Sequence, residues 1–271
     1  MPTTAKRKFF LIPPTYFSID YSINQWMDPK NQADKELAQK QWESLRDTYE
    51  ELGVDVESFE AVPGLPDQVF PGDSIFVYGK HAVAGNFSVP ERAAEVEPMV
   101  ERFAKKGFEI HRMPAGVNFE GNAEAIFWNG RILGGFGVRS DLSAMEHLGK
   151  MLNVEILPLE IKAPYFHLDM CVCPLNNETL AYVPDAFTDE SRTKIESLGA
   201  NLVSIDQDEG LKLACNSMAV GDTVILSTPN VNKFPKALEE VGFRVIALDL
   251  SEFAKSGGGA KCLTLEAYSA D

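Results

Sequence analysis

A single pattern of strand, turn, strand, helix and strand recurs along this chain of 271 residues, and its period constrains the fold more than any other feature. Asp73, Glu120, His167, Asn216 and Cys262 open its five returns at steps of 47, 47, 49 and 46 residues, and four of these five side chains are able to do chemistry. A repeat of this length marks a propeller-like or solenoid array.

The units align by their wording. GDSIFVYGKHAVAGNF, PERAAEVEPMVERFAKKG and FEIHRM form one; FEGNAEAIFWNGRILGGFG, SDLSAMEHLGKML and VEILPL form the next. HLDMCVCPLNNETLAYVP with ESRTKIESLG and NLVSID, and then CNSMAVGDTVILSTP with NKFPKALEEVG and FRVIAL, repeat the order. Gly79-Lys80, Asn129-Gly130, Asn176-Asn177 and Gly221-Asp222 predict hairpin turns, and Gly107, Gly199 and Gly242 predict helix exits. The fifth unit is split: KCLTLEAY at the C-terminus supplies its first strand, and FFLIPPTYFSI, KELAQKQWESLRDTYEELG and VDVESFEA at the N-terminus supply the rest. Joining last unit to first would leave no free sheet edge. The expectation is an α/β fold, a propeller of five ββαβ units with five-fold pseudo-symmetry. No linker or composition shift divides the chain, so residues 1–271 read as a single catalytic domain.

Charge excludes several function classes. Forty acidic against 25 basic side chains give a net charge of −15, which repels nucleic acid and anionic membrane surfaces. No stretch approaches the roughly 18 apolar residues of a membrane span, and the opening MPTTAKRKFFLIPPTYF lacks the features of a secretory signal. Four cysteines without a framework spacing fit a reducing, cytoplasmic setting. Whether the chain forms a homo-oligomer stays open.

If the units surround an axis, the residues that open them converge on one cavity. Cys262 follows Ser256-Gly257-Gly258-Gly259-Ala260-Lys261, a loop of small residues that lets a ligand approach closely. A cysteine is more often a small buried hydrophobe, as Cys171, Cys173 and Cys215 read, but the position of Cys262 favours a nucleophile activated by a neighbouring base or cation. In His167-Leu168-Asp169, strand alternation would put imidazole and carboxylate on one face, the carboxylate orienting the ring for proton transfer. His81, His111 and His147 lack an acidic or cysteine partner in the sequence and receive no role. CxxC and HExxH pairs are absent, so no metal is expected. The triple glycine precedes a strand without Lys-Ser/Thr, so no phosphate cradle or other cofactor site is expected either. Asp67, Asp73, Glu120 and Asp169 would ring one thiol with negative charge, which suits a cation with planar N–H groups, a guanidinium.

The segments PDQVFPGDS, FEGNAEAIFWNGRILGGFGVRSD, FHLDMCVCPL and SGGGAKCLTL resemble, in order and spacing, the motifs of the amidinotransferase superfamily of guanidine-modifying enzymes with the pentein fold. The resemblance covers nearly the whole chain, and its single-domain length is most similar to dimethylargininases. It implies that Cys262 attacks the guanidinium carbon to form a covalent amidino intermediate, that His167 is the general acid and base, and that Glu120 and Asp169 grip the guanidinium with Asp67 and Asp73 nearby. It implies further that Arg92 and Arg139 bind the substrate's α-carboxylate, and that a lid spans Tyr16 to Trp26. YSINQWM, with Asn24, resembles the cyanobacterial arginine dihydrolase, which carries a second asparagine in a TANAG-like segment where this chain reads Pro71-Gly72-Asp73-Ser74. Where the superfamily often has Glu-Gly-Gly-Asp, this chain has Glu120-Gly121-Asn122-Ala123. The implied reaction is hydrolysis of arginine or an N-methylated arginine to citrulline, without cofactor. The alternatives are an arginine deiminase or dihydrolase, an amidinotransferase, or a non-catalytic binding protein of the same fold.

Overall fold

The computed structural model describes residues 7–269. In each of five units the first strand pairs antiparallel with the second, and the second pairs parallel with the third. These strands are Ile75–Tyr78, His81–Ala84 and Glu109–Arg112 in the first unit, and Ala125–Trp128, Arg131–Phe136 and Ile156–Glu160 in the second. Val172–Pro174, Thr179–Tyr182 and Asn201–Ser204 form the third, and Met218–Val220, Thr223–Leu226 and Arg244–Ala247 the fourth. The split unit forms as the repeat requires: Leu265–Tyr268 runs antiparallel to Lys8–Leu11, which runs parallel to Asp55–Ser58.

A parallel pair needs a crossover, and a helix supplies it in every unit: Lys35–Glu51, Val96–Lys105, Leu142–Leu152, Asp189–Glu196 and Lys233–Glu240. Each helix covers its sheet with one apolar stripe. In Val96–Lys105, Val96, Met99, Val100 and Phe103 are buried at helical spacing while the charged residues face out. The Asn129-Gly130 turn has φ of 47° and 81°, the pair of positive values that a tight two-residue hairpin demands.

The sheets are not edgeless, contrary to expectation. The fifth and first units fuse into one six-stranded sheet through Leu265–Tyr268 and Ile75–Tyr78, but the other three remain separate three-stranded sheets. Every third strand is an outer edge. These edges are only four or five residues long and carry exposed charges such as Glu109 and Arg112, which blunts further strand addition.

The turns that precede the first strands touch one another in cyclic order. Gly121 lies so close to the turn of the first unit that a Cβ there would come within 2.2 Å of the Gly72 carbonyl oxygen. Glu120 bonds His167, the Asn216 amide donates to the Asp169 carbonyl at 3.2 Å and approaches Cys262 at 3.0 Å, and a Cβ on Gly72 would sit 3.6 Å from the Thr264 carbonyl oxygen. The contacts thus return to the unit where they began. Beneath Cys262, Trp42, Leu45 and Tyr49 of the first long helix pack with Phe70, Phe253 and Leu263, so the fold places a polar ring on an apolar base.

Candidate active site

A small cavity of ≈ 20 Å³, partly open to solvent, lies at this ring. Of the nine expected site residues, Asn24, Asp67, Asp73, Arg92, Arg139, His167 and Cys262 line it. Glu120 and Asp169 stand immediately behind, bonded to His167 and Cys262 respectively.

The imidazole is held by a different acid from the one that strand alternation indicated. His167 Nε2 lies 2.7 Å from Glu120 Oε2, whereas Asp169 faces the thiol. The reason is local: Leu168–Met170 is a 3-10 turn, so side chains two apart no longer share a face. Glu120 is fixed in turn by the backbone N–H and hydroxyl of Ser88 at 3.2 and 2.9 Å, and Arg139 lies 3.6 Å away. Burial alone would raise the Glu120 carboxyl, but the hydrogen bond and charge of His167, with Arg139, bring it down to about 2. Burial likewise opposes charge on His167, yet Asp73 and the Glu120 bond outweigh it and lift the imidazole to about 9. The ring is therefore protonated at neutral pH, and its buried Nδ1 has no protein partner.

Cys262 Sγ lies 3.3 Å from Asp169 Oδ2, the pair closest to the reacting centre. Burial, with the charges of Asp169 and Asp73, pushes the thiol well above its ordinary value. Asp169 is itself raised to about 6 by burial. The site thus holds a thiol and an imidazolium together rather than a thiolate.

Asn216 holds the nucleophile loop. Its side-chain oxygen accepts from the backbone N–H groups of Gly259 and Cys262 at 2.9 and 3.1 Å while its amide points at Sγ at 3.0 Å. Sequence reasoning gave it no role, although its position as the opener of the fourth unit was the signal. Glu124 was also left without a role; it is buried, accepts from the Leu168 N–H at 3.1 Å, and is raised to about 8 by burial and by Glu120 and Asp169.

Arg92 differs from the open carboxylate clamp that the resemblance implied. Its guanidinium bonds both oxygens of Glu95 at 2.9 and 2.7 Å, the Asp67 carbonyl at 3.0 Å, and the Asp73 carboxylate. Most of its donors are therefore spent on fixing acids. Arg139 has a lighter load, donating to the Ile23 carbonyl at 2.8 Å beside the Phe166 ring. Asn24 also bonds backbone at both ends of its amide: it donates to the Ser256 carbonyl at 3.1 Å and accepts from the N–H groups of Trp26 and Met27. It ties the N-terminal segment to the glycine loop. That segment lies over the cavity through Ile23, Asn24 and Met27, and its Tyr21 hydroxyl donates to Asp67 at 2.7 Å. Its aromatics are less exposed than a free lid would make them, since Phe17 is buried against Phe70 and Phe253 and only Tyr16 is open.

An apolar-based pocket with one thiol, one imidazolium and partnerless acid oxygens on Asp67, Asp73 and Asp169 defines a cysteine-dependent enzyme for a cationic substrate. A family profile described as N,N dimethylarginine dimethylhydrolase, eukaryotic, matches residues 10–269, and the chain belongs to that family. It is 32% identical to the N(G),N(G)-dimethylarginine dimethylaminohydrolase of Mycobacterium tuberculosis, over 98% of this chain and 87% of that protein. It is 34% identical to the bifunctional arginine dihydrolase/ornithine cyclodeaminase AgrE of a Nostoc species over 97% of its own length, but spans only 38% of that protein. Among solved structures, the product-bound N-terminal domain of ArgZ, a cyanobacterial arginine dihydrolase, superposes with a TM-score of 0.92 at 31% identity, covering 97% of this chain and 98% of that one. An asparagine-to-serine variant of the same domain, covalently bound to a reaction intermediate, matches with the same TM-score and identity, over 97% of this chain and 99% of that one.

Proposed function

We propose that this chain hydrolyses the guanidino group of arginine or an N-methylated arginine through a covalent adduct on Cys262, giving citrulline in a dimethylargininase-like reaction. The observation that carries this reading is the set of buried, partnerless carboxylate oxygens on Asp67, Asp73 and Asp169 around a thiol and an imidazolium. Unpaired buried acceptors demand donors. A guanidinium supplies planar N–H groups and a positive charge at once.

The charge inventory gives the order of events. A bound cation offsets the acids that hold the thiol protonated, so substrate itself lowers the barrier to thiolate formation. Cys262 passes its proton to Asp169, which already accepts its hydrogen bond; the thiolate attacks the guanidinium carbon, and His167, protonated and with Nδ1 free, donates to the departing amine. The neutral imidazole then takes a proton from water as the hydroxide adds to the amidino-thioether, and collapse expels Cys262 to leave a ureido product. Glu120 keeps the ring aligned and charged before the first transfer.

The cyclic contacts between unit-opening turns support a closed five-unit propeller, with residues 1–271 as a single catalytic domain and the site on its axis. A dihydrolase reaction that continues to ornithine is the second reading, favoured by Asn24 bonding the glycine loop and by the likeness to the cyanobacterial enzymes. Asp73 favours stopping after one hydrolysis, because its carboxylate, paired to Arg92, attracts the cationic guanidinium but not the neutral ureido product, which is then released. Mass spectrometry of products from arginine and from dimethylarginine decides: citrulline supports the first reading, ornithine the second, and turnover of neither rejects both.

A further inference from the structure

Two of the four histidines sit together on the outer part of the first unit, away from the cavity. The strand His81–Ala84 pairs in parallel with Glu109–Arg112, with His81 opposite Glu109 and Val83 opposite His111. Side chains alternate along a strand, so Glu109 and His111 share a face, and the register brings His81 beside both. His81 Nδ1 lies 3.0 Å from His111 Nε2 and 3.4 Å from Glu109 Oε2, and His111 Nε2 lies 3.6 Å from Glu109 Oε1. A tetrahedral zinc ion with bonds of about 2.0–2.1 Å holds its donors about 3.4 Å apart. The two imidazole nitrogens stand 3.0 Å apart, each lies 3.4 or 3.6 Å from one of the two Glu109 oxygens, and one ligand atom from each residue lies within 4.8 Å of the others, so small side-chain rotations bring three donors to that separation.

We propose that His81, Glu109 and His111 form a surface site for a zinc-like divalent ion, with water in the fourth position. Two imidazoles and one carboxylate are a ligand set suited to zinc rather than to calcium or magnesium, which prefer oxygen alone. Glu109 is exposed while the imidazoles are partly buried, so the ion has a route in and the fourth position faces solvent. Its bound ion would strap the edge strand Glu109–Arg112 to its neighbour, giving this edge a stabiliser independent of the catalytic pocket. The sequence placed no partner beside His81 or His111 because ligands on two strands separated by a helix leave no short motif.

Isothermal titration with zinc chloride on the full chain tests this in a Cys262→Ser background, which removes the competing active-site thiol. One zinc per chain is expected, with a rise in melting temperature. Adding His111→Gln, or separately His81→Asn, should weaken binding at least about tenfold while leaving the metal-free melting temperature unchanged. Cobalt(II) in place of zinc should give the visible absorption of a tetrahedral ion, and lose it in either variant. No binding, or zinc binding indifferent to both substitutions, would overturn the proposal. Should a histidine variant fold poorly, Glu109→Gln removes the third ligand from an exposed position, and unchanged affinity there counts against the site.

Discussion

The chemistry of each side chain proposed to act on substrate is set by what stands behind it. Cys262→Ser should leave the fold intact and lower kcat by roughly 10³-fold or more, whereas Cys171→Ser or Cys173→Ser, at buried positions away from the cavity, should act on melting temperature instead. Asn216→Ala removes two backbone anchors of the nucleophile loop and a contact to Sγ, so kcat should fall by about one to two orders of magnitude with the thiol still present and titratable. His167 carries a stability signature. Its folded value of about 9 lies above the ordinary 6.5, so its contribution is complete below pH 6.5 and is lost as pH rises through 9. Urea midpoints measured at pH 6 and pH 9.5 should therefore drop more in the parent than in His167→Gln, and equal drops would contradict the buried imidazolium. At this scale the sequence named Cys262 and His167 correctly as cavity residues, because the repeat gave them equivalent positions. It misplaced the partner of His167, which is Glu120. A two-residue spacing reads as a shared face only on a strand, and the 3-10 turn at Leu168–Met170 breaks that rule and sends Asp169 to the thiol.

At the scale of elements, the N-terminal segment is anchored by Phe17 against Phe70 and Phe253 and by Trp26 against Phe166, and a few hydrogen bonds tie it across the pocket. Asn24→Ala removes the tie to the Ser256 carbonyl and the acceptor for Trp26 and Met27, each such bond contributing on the order of 1 kcal/mol. KM should rise by about five- to tenfold and the melting temperature should fall by a few degrees, and an unchanged KM would remove Asn24 from the closing mechanism. Strands, hairpins and long helices were legible because each has a local cause: Gly107, Gly199 and Gly242 close helices, and Asn129-Gly130 fixes a hairpin. The short turns that carry Asp67, Asp73, Glu120 and Asp169 were not legible as turns. Pro66 and Pro71 open two of them, but the side chains are set by partners distant in sequence, such as Glu120 with His167.

For the whole molecule, the split fifth unit makes Lys8–Leu11 and Leu265–Tyr268, from opposite parts of the sequence, strands of one sheet. Leu265–Tyr268 is an interior strand of the six-stranded sheet, and its Glu266 bonds Arg7 at 2.7 Å while Lys261 bonds the Tyr268 hydroxyl at 3.1 Å. Deleting residues 265–271 should abolish cooperative thermal unfolding along with activity, whereas loss of a dispensable tail would leave the transition in place. The repeat period made this junction visible before any coordinate, since only a unit assembled from both ends completes the count of five. The free sheet edges were not foreseen, because the repeat specifies what pairs within a unit and says nothing of the gaps between units.

The three scales meet at one place: five unit-opening turns bring together a thiol, an imidazolium and unpaired acids, the groups proposed to hydrolyse one guanidinium bond. Product and adduct analysis tests it most directly. Wild-type protein and Cys262→Ser are incubated with labelled arginine or dimethylarginine, quenched in acid, and followed by mass spectrometry of both the small molecules and the intact chain. The account predicts citrulline from the wild type, accompanied by dimethylamine when dimethylarginine is the substrate, a transient amidino adduct on Cys262, and neither product nor adduct in the serine variant. Citrulline formed equally well by Cys262→Ser, or no turnover of either guanidine by the wild type, would contradict it.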